Sequence, residues 1–137
     1  MNLSNLVRAA IFSAVAIGLG FMFMLVPNVE FISITVFLSG LTLGFSWGAA
    51  VGASSMLIYS SFNPLGSGLV YFTLLIGQIL AMVVIGMSGA AANKIVKSLA
   101  PVYQAILAGL FGFIGTLIYN IATNLAYPLS AGYSLKE

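Results

Sequence analysis

Apolar and polar positions alternate along this chain in long blocks rather than residue by residue. An apolar run from Ala9 to Val26 follows Arg8 and ends at Pro27-Asn28-Val29-Glu30. From Phe31 to Phe62 there is no charge at all, and the next polar break is Asn63-Pro64-Leu65-Gly66-Ser67-Gly68. A third apolar block reaches Ala92, where Asn93-Lys94-Ile95-Val96-Lys97 forms the clearest basic stretch, and a fourth follows Pro101. Blocks of about 20 apolar residues are the length that crosses a hydrocarbon core of ~30 Å as helix. The pattern predicts a first helix over about Leu6–Val26, a fourth over about Leu69–Ala92, and a fifth from Pro101 to about Leu125, with the proline in the first turn, where it is tolerated.

The block from Phe31 to Phe62 is too long for one crossing. As a single helix it would measure about 48 Å at ~1.5 Å per residue. Gly40, Gly44, Gly48 and Gly52 recur every four residues through its middle, with Ser46-Trp47 where a turn would fall. It therefore reads as a hairpin of two short helices, about Phe31–Leu43 and Gly48–Ser61, sheltered by the longer ones. Glycines at this spacing permit close helix packing. The second arm carries Ser54, Ser55, Tyr59, Ser60 and Ser61, as expected of a helix facing a cavity.

Composition makes the solvent explicit. Of 137 residues, 61% are hydrophobic and 4% charged, against roughly 25% charged in a soluble domain. The expected fold is an all-α integral membrane protein, a helical bundle of five predicted transmembrane helices in one transmembrane domain over residues 1–137. The expected location is a cell membrane, with the chain crossing several times. The first run exceeds the ~7–15 residues of a signal-peptide core and lacks a small-residue cleavage site, so it reads as a retained helix. A net charge of +2 gives no nucleic-acid partner. With no Cys and no His, disulfides, thiolate nucleophiles, the usual zinc sites and His-based catalysis are excluded. Only Glu30 and Glu137 are acidic, too little for general acid–base chemistry, so no enzyme, cofactor or metal is expected.

Positive-inside bias puts Arg8, Lys94 and Lys97 in the cytoplasm, and with them the N-terminus. Glu30, Asn63-Pro64 and the end of the fifth helix then share the outer face. Glu30 is either a ligand-binding carboxylate or a charge at headgroup level near a helix N-terminus. Asn120, Thr123 and Asn124 fall on one helical face and could bind a ligand or another helix. Gln78 reads as glue between helices, and Tyr71 lies beside the outer loop. In the first helix, Ala10, Ala14 and Gly18 form a seam of small residues that lets another helix approach.

These features together resemble the substrate-binding (S) components of energy-coupling factor transporters. The likeness rests on the Ala10-x-x-x-Ala14 seam, Pro27-Asn28-Val29-Glu30 before the second helix, the glycine-rich hairpin, Asn63-Pro64-Leu65-Gly66, and Tyr119-Asn120-x-x-Thr123-Asn124. It covers nearly all of residues 1–127. The resemblance implies capture of a vitamin-like ligand for ATP-driven uptake in a prokaryotic plasma membrane. The ligand would bind near the outer face through Asn28, Glu30, Asn63, Tyr71, Asn120, Thr123 and Asn124. It implies partners as well: a transmembrane T component, docking on Ala10, Ala14 and Gly18, and two ATPases. The implied fold has six helices with both termini cytoplasmic. Five spans leave this chain ending outside at Lys136-Glu137, so the sequence is expected to be C-terminally truncated, and the hairpin turn lacks the basic residue expected at a cytoplasmic turn. Competing expectations are an independent small transporter or channel using Glu30 as coupling carboxylate, and a non-transporting membrane scaffold.

Overall fold

The computed structural model describes residues 2–26, 31–65, 68–96 and 98–130, apart from the side chains of residues 94, 108, 127, 129 and 130. Among them are five helices: α1 (Leu3–Met22), α2 (Phe31–Leu43), α3 (Phe45–Ser61), α4 (Phe72–Val96) and α5 (Pro101–Ser130). Three of these, α1, α4 and α5, contain stretches long and apolar enough to cross a membrane.

The first helix starts three residues earlier than expected because Asn2 caps it. The Asn2 side chain accepts a hydrogen bond from the Ser4 N–H at 3.1 Å, satisfying a donor that the first turn leaves without an intrahelical partner. It also ends earlier, at Met22, and the chain turns through Phe23–Val26, where the Val26 N–H reaches the Phe23 carbonyl at 2.9 Å. Apolarity concealed that turn, since residues 23–26 are as hydrophobic as the helix before them.

The hairpin turns at Gly44, not at Ser46-Trp47. Gly44 alone separates α2 from α3 and has a φ of +92°. With its ψ of −179°, this is a backbone region open essentially only to glycine, where a residue with a Cβ would cost of order 1–3 kcal/mol. The Gly44 N–H closes α2 on the Gly40 carbonyl at 2.9 Å, while its own carbonyl accepts from Gly48 N–H at 2.8 Å. One residue thus ends one helix and begins the next, and α3 gains the turn Phe45–Trp47 that was expected to be loop.

Close packing of the glycines is present, and its partner is α4. A Cβ on Gly48 would lie 2.6 Å from Gly40 Cα and 2.6 Å from the Gly86 carbonyl oxygen. A Cβ on Gly52 would strike the Met82 backbone, and one on Gly89 the Phe37 backbone. Of the apolar stretch of α4, 39% of residues are buried, against 11% in α1 and 12% in α5, which makes α4 the centre of the arrangement. It packs on α2, α3 and α5, whereas α1 packs on α2 and α3 from the other side. Among the described residues α5 touches neither α1 nor α3.

Both ends of α4 differ from expectation. Residues 68–71 form turns instead of its first turn, with the Gly68 N–H donating to the Ser60 carbonyl at 2.8 Å. At the other end, Asn93-Lys94-Ile95-Val96 is helix rather than loop, because the Asn93 side-chain amide hydrogen-bonds the Leu41 carbonyl on α2. Pro101 opens α5 as expected, but the helix runs on to Ser130 with Pro128 inside its last turn. Nothing polar interrupts residues 125–127, and a proline so near a C-terminus removes a single N–H donor.

Successive helices run antiparallel. Gly20 meets Ile32 and Tyr59; Gly77 meets Ala126; Asn93 meets Leu41. Arg8 and the end of α4 therefore lie at one end of the bundle, beside Leu38 and Leu41. The outward faces of α1 and α5 are largely apolar, with Val7, Ile11, Val15, Leu110, Phe113 and Leu117 among the exposed side chains, and the exposed Asn120 and Asn124 share the α5 face with Phe113 and Leu117.

Candidate functional site

The polar residues singled out in sequence that fall within the described chain gather at the end opposite Arg8. Asn28 and Glu30 lie outside the described residues. Asn63 follows α3, and its side chain accepts from the Leu65 N–H at 2.9 Å, an Asx turn that sets the direction of the loop. Tyr71 stands exposed just before α4. On α5, Ala122 and Ala126 face Gly77 near the start of α4, which brings Thr123 and Asn124 toward this same end, with Asn120 about one turn deeper in the bundle.

The α5 trio does not point into the bundle. Tyr119 and Ala126 are the buried positions of this stretch, and Asn120 and Asn124 are exposed about 100° to 140° around the helix from Tyr119. The Thr123 hydroxyl donates to its own helix, at 3.0 Å from the Tyr119 carbonyl and 3.1 Å from that of Asn120. Polar side chains from two regions thus share one end of the molecule, with the asparagines of α5 presented outward.

Beneath Asn63 and Tyr71 a hydrogen bond ties two helices together. The Ser60 hydroxyl, which is buried, donates to Gln78 Oε1 at 2.8 Å and joins α3 to α4. The Gly68 backbone folds directly over this pair, where a side chain would collide with Ser60 Oγ. Gln78 therefore does hold helices together. On the α1 side, the Phe21 and Tyr59 rings lie 5.0 Å apart and those of Phe23 and Phe31 4.6 Å apart, closing α1 against α2 and α3.

The serines of α3 were expected to face a cavity, and two of them, Ser54 and Ser60, face neighbouring helices instead. Ser54 Oγ lies 3.0 Å from Ser13 Oγ on α1, and Ser60 meets Gln78. Ser55 is fully buried, and its hydroxyl has no hydrogen-bond partner among the described residues. In so small-residue-rich a helix, serine and alanine are nearly interchangeable in volume, so pattern alone could not say which way each hydroxyl turns.

Two cavities bounded by described residues lie elsewhere. One, of about 340 Å³, sits at the Arg8 end among Leu41, Thr42, Asn93, Val96 and Gln104. The other, of about 430 Å³, runs between α1 and α2 from Arg8 to Leu19 and from Phe31 to Leu38. Neither was visible in sequence, because each joins segments far apart in the chain. The role of Asn93 was missed for the same reason. Gly86, which receives Gly40 and Gly48, and Gly89, which receives the Phe37 backbone, were signals in plain view.

Ala10, Ala14 and Gly18 all lie on the exposed face of α1, and a Cβ on Gly18 would meet nothing within 4 Å. The packing of α1 uses Ala9, Ala16 and Gly20, a different face. Taken together, the described groups can hydrogen-bond and pack against a ligand or a helix; they assemble no nucleophile with its base. Comparison of the chain with family models, with curated proteins and with solved structures finds no match in any of the three.

Proposed function

We propose that this chain is a membrane-embedded substrate-capture subunit of the energy-coupling factor type, binding a small polar micronutrient at the end of the bundle that carries Asn63, Tyr71, Asn120 and Asn124. All five helices lie in the bilayer in this reading, with α2, only 13 residues long, sheltered among α1, α3 and α4. The apolar outward faces of α1 and α5 then meet lipid tails. Asn28 and Glu30, which precede α2 in sequence, complete the ligand-binding set.

The observation that carries the proposal is the outward seam of Ala10, Ala14 and Gly18. In lipid, helices associate through close packing at small residues rather than through the hydrophobic effect. A seam that α1 does not use for its own fold is suited to receive a helix of another subunit. That is the role of the T component, which two ATPases would drive. Ala10→Leu with Ala14→Leu should abolish co-purification with such a membrane partner while leaving the fold intact. Normal assembly of the double variant would overturn the reading.

Ligand capture has its own test. Uptake of radiolabelled water-soluble vitamins into vesicles should require ATP and the partner subunits. With the responding vitamin, Asn124→Ala and Glu30→Gln should each weaken binding by roughly 5- to 150-fold, as unpaired polar groups do. Gln78→Ala should do less, because Gln78 is engaged by Ser60. Uptake by this chain alone would point to an independent carrier. The contacts Ser60–Gln78 and Ser13–Ser54 also suit a scaffold that only holds helices, and a folded protein answering no vitamin would favour that reading.

A further inference from the structure

The groove between α1 and α2 has two ends of different chemistry. Ile11, Val15 and Leu19 of α1 face Phe31, Ile34 and Leu38 of α2 along its length, and Arg8 stands at one end. Its other polar residue, Thr35, donates its hydroxyl to the Phe31 carbonyl at 2.8 Å, so that group is satisfied within its own helix. Ile11, Val15, Ile34 and Leu38 are exposed, which leaves the groove open along its outer side. The described residues include no carboxylate to neutralise Arg8.

The geometry points to a binding site for one anionic phospholipid, with an acyl chain along the groove and the headgroup phosphate on the Arg8 guanidinium. Length supports this occupant. From Arg8 to Leu19 the groove runs about 16 Å at ~1.5 Å per residue. That matches the depth of one leaflet of a hydrocarbon core ~30 Å thick. Charge supports it too. Arg8 lies at the same end of the bundle as Asn93 near the close of α4, and basic sites between helices on the cytoplasmic side recruit anionic headgroups. A guanidinium pairs with phosphate through two parallel N–H donors, which a zwitterionic lipid shields with its own cation. On α1 the groove centres about 115° around the helix from the Ala10-Ala14-Gly18 seam, with Ile11 bordering Gly18, so the two share only an edge.

The site rests on the membrane-embedded reading and is independent of transport. Native mass spectrometry of the detergent-solubilised protein, titrated with phosphatidylglycerol and with phosphatidylcholine of identical acyl chains, tests it. One phosphatidylglycerol should bind more tightly than phosphatidylcholine. Arg8→Gln should weaken phosphatidylglycerol by about fivefold and leave phosphatidylcholine unchanged. Val15→Trp, which fills the groove from its open side, should weaken both lipids, and glycerol 3-phosphate should not displace phosphatidylglycerol. Equal affinity for the two lipids, or an Arg8→Gln protein that keeps the preference, would overturn the site. Displacement by glycerol 3-phosphate would do the same, leaving an anion on Arg8 with no part for the groove. Extraction of the chain from its host membrane by alkaline carbonate would instead remove the membrane reading and the lipid site together.

Discussion

Gly86 shows what a missing side chain accomplishes here. Its backbone lies against both Gly40 and Gly48, and a Cβ on it would fall on the Gly48 carbonyl. The obstacle is backbone, not the end of a flexible side chain, so the helices must separate to admit a methyl group. Overpacking of this kind costs typically 1–3 kcal/mol. Gly109 and Gly112 of α5 are the internal control, since nothing lies within 4 Å of a Cβ on either. There the gain in helix propensity, up to ~1 kcal/mol for Gly→Ala, is unopposed. Thermal melting in detergent should therefore show a lower Tm for Gly86→Ala and an unchanged or higher one for Gly109→Ala. Equal shifts would mean that α2, α3 and α4 are not in backbone contact. The same physics explains why the hairpin glycines were readable as a packing surface while their partner was not. A spacing of four defines a face, but only the folded chain says what the face meets.

At the scale of the element, α2 is held at both ends by groups outside itself. Phe31 begins it beneath the Phe23 ring, and the Asn93 amide reaches its Leu41 carbonyl from α4. That carbonyl is among the last of α2, where the break at Gly44 removes the continuing helical donor. Asn93→Ala should therefore fray the ends of both α2 and α4, lowering stability by about 1–3 kcal/mol as one buried acceptor loses its partner. Hydrogen exchange should rise at residues 41–45 and 93–96 and stay constant in α1; uniform exchange would remove Asn93 from this role. The limits of α2 were legible in sequence because polar breaks or glycine flank it on both sides. Those of α4 were not, because Asn93-Lys94 has the composition of a loop and the contact that keeps it helical comes from 52 residues away. The asparagines of α5 repeat the lesson. Their shared face followed from spacing, but its outward direction depends on which other face, Tyr119 and Ala126, fits against α4.

For the molecule as a whole, the alternation of the five helices separates two ends with different chemistry. Arg8, Asn93 and Ser98 lie at one end, and Asn63 and Tyr71 at the other. The charged residues that orient a membrane protein are the cations of the short flanking segments, and here all of the chain's basic residues except Lys136 are Arg8, Lys94 and Lys97. In the membrane reading proposed above, a bilayer would hold that end in the cytoplasm, because the α2–α3 hairpin crosses as a pair and returns the chain to the side to which α1 delivered it. The absence of native cysteine makes this directly measurable. Single cysteines replacing Asn63 and Ser98 should respond oppositely to an impermeant maleimide on intact cells, Asn63→Cys labelling and Ser98→Cys remaining protected until the membrane is opened. The reverse pattern would invert the orientation and move the candidate ligand site to the cytoplasm. Labelling of both in intact cells would mean that no barrier separates the two ends, and the bundle would then have to bury its apolar outer faces against something other than lipid.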